Sequence, residues 1–396
     1  MTAANETSSW KPITDKHPDI VCTGCACHGA SLLYKDIFTH AWPKKVLDDA
    51  TTLMKFIKHH TWTNSKLKRD TAAAGQQKSI ILHGETRFAG SYYSMKRLLE
   101  VKGVVRSMVF TDEFESKKYA SQTDIQRLCQ KRSFWDDLSA LVAFMRPLKN
   151  FIKLMDHSYH TTHLVYPGLV DLGIRWEEMK GAVSTNFHRH CMSKFKSRMK
   201  YILFPVHYAC YALSPEHHSD NIWGVDEVCV GTKQVMRIYL NLSDTNEALE
   251  QLDDFKNHQC PMLFPCDPQC QNEDDPNPTP VRAIKNPRTW WKVHGSRWPL
   301  LQQVALRIFA IGTASAPSER NFSAFGNIWN LRSYSLSSAN AIKLVYIYYN
   351  LRKLFKKEVE SHEGIEYGWL ATLNENETSL NFDDSSDEDE PVLVTQ

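Results

Sequence analysis

The sequence predicts a mainly α protein with a small β component. Three observations predict it. Apolar residues recur at helical spacing over most of the chain. β-prone pieces are confined to two short stretches, residues 20–22 and 80–82. Turn residues are concentrated in one segment, residues 258–287, where Pro261, Pro265, Pro268, Pro276, Pro278, Pro280 and Pro287 mark a loop or linker.

Taken in order, residues 1–20 are polar and read as poorly ordered, or as the remnant of something longer. From Cys25 onward, Leu32, Leu33, Ile37, Ala41 and Val46 suit a helix, with a break predicted at Pro43. Residues 48–60 form a second amphipathic helix, with Ala50, Leu53, Met54 and Ile57 on one face beside Leu47. Residues 80–82 read as a strand or an extended lead-in. Residues 92–102 read as a helix through Met95, Leu98, Leu99 and Val101. Residues 103–240 read as wholly helical. Within them, residues 134–155 align Leu138, Leu141, Val142, Met145, Leu148, Ile152 and Met155, and Pro147 predicts a break or kink. Residues 176–198, 202–212, 225–241 and 246–255 continue the pattern. After the proline-rich loop, helices are expected at 287–293, 300–311 and 337–355. Ser337 or Ser338 would cap the last of these, and Lys353, Lys356 and Lys357 suit its negative C-terminal end.

Composition bounds the function. A chain of 396 residues with 42% hydrophobic and 23% charged content buries a real core and has room for two or three domains. No apolar run is long enough to span a membrane, and residues 1–11 carry no apolar signal core. Ten scattered cysteines suggest reduced thiols in a nuclear or cytoplasmic protein rather than a disulfide scaffold. The net charge of +2 hides an asymmetry: no Lys or Arg follows Lys357, so the body carries +14 and residues 358–396 carry −12. A basic body suits a polyanionic partner, and a solvated basic surface is the plainer alternative. Composition predicts disorder after Leu380, through the run Asp383-Asp-Ser-Ser-Asp-Glu-Asp-Glu390.

Four motifs carry the rest. Cys22-Thr-Gly-Cys25-Ala-Cys27-His28 offers zinc-type ligands. A structural zinc site needs a second ligand pair, and Cys260, Cys266 and Cys270 are distant and irregularly spaced. Glu85-Thr-Arg87-Phe88 puts a cation beside an aromatic ring, a pair that suits phosphate contact and base stacking, or a core ring with a surface charge. Trp290-Trp291 in residues 286–295 is most simply core packing. Last comes Ser315-Ala-Pro-Ser-Glu319-Arg-Asn-Phe-Ser-Ala-Phe-Gly-Asn327, followed by an apolar helix. His157, His160 and His163 lack a shared helix face, and Lys194–Lys200 is a basic helix face best read as solvated. Neither a P-loop nor a Gly-x-Ser-x-Gly elbow is present.

In order and spacing these motifs resemble the hAT-family transposases, over roughly residues 3–357. The Ser-Glu-Arg-x-Phe-Ser core and the helix after it are similar to that family's C-terminal signature and dimerisation helix. Cys25-Ala-Cys-His28 resembles its Cys-x-x-His element, and Thr86-Arg87-Phe88 its Thr-Arg-Trp element with Phe in place of Trp. The resemblance implies a partial ribonuclease H-like fold interrupted by a large all-helical insertion. It implies residues 1–99 as the remnant of the catalytic core, 100–285 as the insertion, 286–357 as the dimerisation region and 358–396 as an acidic tail.

It also implies roles. Glu319 matches one of three catalytic carboxylates, His28 a phosphate contact, and Arg87 and Phe88 DNA contacts. Leu344, Val345, Ile347, Tyr348 and Leu351 would form the dimerisation face. The residues Ala3-Ala4-Asn5 resemble the end of the element that carries the second Asp, and Met1 stands at the Asp position. A two-metal site needs several carboxylates, so neither metal nor other cofactor is expected, and Mg or Mn only in a complete site. The expectation is therefore an hAT-like protein that has lost catalysis and retains association with itself or related transposase chains, together with non-specific DNA binding. The alternative is a fragment of an active enzyme that cuts and transfers DNA strands. With the central strands missing, the Cys25 helix and residues 300–355 are expected to expose apolar faces that a partner must cover.

Overall fold

The computed structural model describes residues 3–75, 78–82, 90–156, 161–218, 220–257, 287–313, 322, 325–326 and 337–362; the side chains of 3–9, 349 and 352–362 are outside it. The chain divides into two compact units, Met1–Pro317 and Ser318–Gln396.

Among the described residues, every regular element of the first unit is a helix. Its helices are α1 (Ala3–Lys16), α2 (Ala26–Ile37), α3 (Ala41–His59), α4 (Thr61–Ala73), α5 (Gly90–Glu100), α6 (Lys102–Met108), α7 (Asp112–Ser116) and α8 (Gln122–Gln130). They continue with α9 (Arg132–Met155), α10 (Val165–Glu178), α11 (Thr185–Ile202), α12 (Pro205–Ala212), α13 (Asp226–Tyr239), α14 (Leu242–Asn257), α15 (Pro287–His294) and α16 (Pro299–Ile308). The described part of the second unit is dominated by α17 (Ser338–His362).

Two hydrophobic cores lie side by side in the first unit. The first runs from Ala26 to Ile202 and is organised by α9, which packs against α2, α3, α5, α8 and α10. The second runs from Val206 to Phe309 and is closed by Trp290, Trp291 and Trp298. Tyr166 of α10 joins them, its ring 5.3 Å from Tyr208 and 4.9 Å from Tyr211 of α12.

Several expectations are corrected. No strand forms among the described residues. Residues 20–22 and 80–82 have no regular structure, and among the described residues no strand lies beside them to form a ladder. The backbone at the second stretch is satisfied by side chains instead: Lys58 donates to the Ile80 carbonyl at 3.3 Å and Arg97 to the Ser79 carbonyl at 3.1 Å. The polar start is also a helix, α1, where Trp10 packs edge-on to Phe204 at 5.5 Å. Pro43 breaks nothing, because it lies in the first turn of α3, where its missing N–H has no intrahelical acceptor to lose. The helix containing Pro147 runs uninterrupted from Arg132 to Met155, held by packing on nearly every turn.

The expectation of uncovered apolar faces fails for α2 and α16. Ala26, Ala30, Leu33 and Ile37 of α2 are fully buried, as are Leu301, Val304, Ala305 and Ile308 of α16. Helices of the same unit cover them where a partner was expected. The α2–α11 contact depends on Gly29, because a Cβ there would drive into the Ile202 side chain. Asp36 then locks the pair by accepting two hydrogen bonds from Arg198, at 2.6 and 3.1 Å, which raises the Arg198 pKa further. Gly29→Ala should lower stability by roughly 1–3 kcal/mol, since overpacking outweighs Ala's helical advantage. A thermal melt beside wild type checks this; an unchanged or higher midpoint would show that Ile202 yields freely.

Candidate functional site

The last helix has the features of an association surface. Ser337 caps it, its Oγ accepting from the Asn340 N–H at 3.4 Å, and its carbonyl accepts from Ala341 N–H. Ala341 and Val345, one turn apart, are buried at 0% and 6% exposure. Beside that seam, Leu344, Ile347, Tyr348 and Leu351 are all exposed. Their spacing of i, i+3, i+4 and i+7 places them on one stripe of the helix. Ile342 and Tyr346 are exposed on its other flank, Tyr346 at 70%. Of the five residues expected on the dimerisation face, four thus share an open stripe and Val345 lies in the buried seam. The helix also runs to His362, seven residues past the expected end.

At the Cys-x-x-His element the geometry is that of a helix start. Cys25 is the N-cap of α2, and its Sγ accepts the His28 N–H at 3.3 Å. The Thr313 carbonyl accepts the Ala26 N–H at 3.1 Å, so two first-turn donors of α2 are satisfied. His28 is half-buried on that first turn. Cys22, Cys129, Cys191, Cys210 and Cys229 are free thiols, and no group of three metal-ligating side chains occurs among the described residues. Arg87, Phe88 and Glu319 lie outside the described residues, as do His157 and His160.

Sequence reading missed two sets of polar residues in the first unit. His207, in the first turn of α12, is buried, with Nδ1 accepting the Phe204 N–H at 3.0 Å. Burial pushes its pKa down to about 4. The signal was present as a His at the third position of a helix that Pro205 opens, where a side-chain acceptor can cap the N-terminus. The second set is Thr161, Thr162 and Thr313, buried hydroxyls that bond one another at 3.0–3.1 Å. Thr162 also donates to the Ile311 carbonyl at 2.7 Å. Residues more than a hundred positions apart leave no local pattern to find.

Residues 274–351 match the family model of the hAT family C-terminal dimerisation region. The chain carries an hAT dimerisation region. The match includes the Trp290–Trp291 helix, the Glu319 segment and the exposed stripe of α17, and it supports an origin in the hAT transposases. No curated protein matches the chain.

The structure divides this hAT region by what its helices leave open. Trp290 and Trp291 of α15 and the apolar side of α16 are consumed inside the second core of the first unit. The α17 stripe is apolar and open. Among the described residues no helix is long and apolar enough to cross a membrane.

Proposed function

We propose that this hAT-derived protein acts by self-association, or association with related transposase chains, through the Leu344–Ile347–Tyr348–Leu351 stripe of α17, and does not cut DNA on its own. The observation that carries this is the exposure of all four side chains on one face of a helix inside the hAT dimerisation region. An apolar stripe of that width in water favours burial against a matching one, at about 25 cal/mol per Å² removed. The absence of catalysis in this reading rests on chemistry: Glu319 is a single matched carboxylate, and two-metal phosphoryl transfer needs several. The +14 body adds non-specific DNA contact in the nucleus, with affinity that falls steeply as salt rises. A remnant of the ribonuclease H-like fold remains part of this reading, as the framework from which residues 1–99 and 286–357 descend.

Light scattering on the purified chain tests the association. Wild type should run as a discrete dimer and Ile347→Asp as a monomer. Because Ile347 is half exposed, the substitution should leave the melting temperature of the first unit unchanged. A well-behaved wild-type monomer would sink the reading.

The retained Ser-Glu319-Arg segment favours a second reading, a piece of an active transposase whose two Asp residues come from elsewhere. Translating the genomic DNA upstream of Met1 decides between them. An open frame carrying an Asp just before Thr2 and another further upstream supports the enzyme; a stop codon or frameshift supports the association module.

A further inference from the structure

A shallow trough of about 680 Å³ opens on the surface where α5 leads into α6, lined by Leu99, Lys102, Gly103, Arg106, Ser107 and Phe110. Its composition is unusual for a solvated face. Leu99 and the exposed ring of Phe110 give it an apolar floor. Gly103 leaves that floor open, with nothing within 4 Å of where a Cβ would lie. Lys102 and Arg106, one turn apart, set two cations along its edge. Lys102 is held in place by the Trp135 ring, 5.4 Å from its Nζ. Arg106 makes no hydrogen bond or ion pair with any described residue.

Such a surface fits a peptide that joins apolar anchors to carboxylates. The chain contains one: Leu380-Asn-Phe382-Asp-Asp-Ser-Ser-Asp-Glu-Asp-Glu390, in a tail with twelve acidic residues and no Lys or Arg after Lys357. We propose that the trough is a docking site for this acidic segment of a second copy of the chain, with Leu380 and Phe382 on Leu99 and Phe110 and the following carboxylates on Lys102 and Arg106. The proposal rests on the self-association reading and adds a second, electrostatic contact to it. Two contacts in one assembly reinforce each other, because the first raises the local concentration of the second. Arg106 is exposed and Lys102 half-buried at the surface, so the contact weakens with salt over the usual screening length of roughly 8–10 Å.

The test is zero-length carbodiimide cross-linking of full-length chains grown in light and heavy nitrogen and mixed in equal amounts. Mixed light–heavy peptides should join Lys102 to carboxylates of residues 383–390. Arg106→Gln, Phe110→Ser and the pair Leu380→Ser with Phe382→Ser should each cut that yield roughly fivefold, the scale of one exposed ion pair or small apolar contact. All of these are surface or tail positions, and a melt of each variant confirms that the body is intact. Cross-links spread evenly over the lysines, pairs only within one isotope, a yield that ignores Phe110 and Phe382, or no product would each overturn the proposal. If scattering still shows a dimer in that case, the α17 reading stands alone; if scattering shows a monomer, both fall.

Discussion

Trp291→Ala should destabilise the first unit by roughly 4–5 kcal/mol, a large effect for a single residue. Trp291 is fully buried in the second core, packed against Phe255 at 5.1 Å and Trp290 at 5.2 Å. Its indole N–H donates to the Leu213 carbonyl at 2.8 Å. Truncation removes the ring, leaves a cavity that the neighbouring aromatics fill only in part, and strands that carbonyl in a dry interior. Gly295 and Gln302 have been shaped around the indole: a Cβ on Gly295 would meet Trp291 Cε3 at 2.7 Å, and Gln302 donates to the Trp291 carbonyl at 2.7 Å. Against a typical total of about 5–15 kcal/mol, the loss is large enough to unfold the second core near body temperature. Chemical denaturation of wild type and variant checks the value. A loss below about 1 kcal/mol would mean that the aromatic cluster repacks, and would remove the reason for treating this pair as core.

Acid should weaken the fold through His207. Buried in the first turn of α12, it stays neutral in the folded chain until about pH 4, whereas the unfolded chain protonates it near pH 6.5. Between those values the unfolded state binds more protons, so stability falls as pH drops. The loss begins below about pH 6.5, grows to about 3 kcal/mol and is complete below about pH 4. Burial lowers the His217 pKa as well, more than Asp220 and Glu216 raise it, so its contribution has the same sign. Lys256, held near 8 by burial, acts in a different window: its cost is relieved only as pH rises from about 8 toward its ordinary value of 10.5. His207→Gln keeps an acceptor for the Phe204 N–H in the manner of a capping box and removes the titrating group. Urea titrations at pH 7 and 4.5 should show the variant losing far less stability than wild type. Equal losses would mean that another group governs the acid limb.

Much of the fold was legible because it depends on local periodicity. The helix of residues 134–155 presents one apolar face by spacing alone, and it appears as α9 within two residues of its expected start. The start of α2 at Cys25 was readable from the motif, and the last helix from Ser337 or Ser338 onward, because both are short-range patterns. What misled was context. Pro43 and Pro147 look alike in sequence, yet one opens a helix and the other is carried through it. Residues 1–20 look too polar to order, yet Trp10 gives α1 a partner in Phe204. Arg87, Phe88 and Glu319, the residues that resemblance makes most chemical, lie outside the described residues and remain proposals for experiment.

The sequence by itself determined the helical class, the charge division between body and tail, and the hAT region, since composition, period and motif are properties of neighbouring residues. Only the tertiary structure decided which apolar faces are buried, and against what. The helices α2, α15 and α16 and the helix α17 carry similar apolar patterns, and periodicity says only that such a face will be covered, not by what. Residues distant in the chain supply the covering: Ile202 for Gly29, Leu213 for Trp291 and Thr161 for Thr313. On α17, by contrast, Leu344, Ile347 and Leu351 stay exposed, which periodicity could not have told.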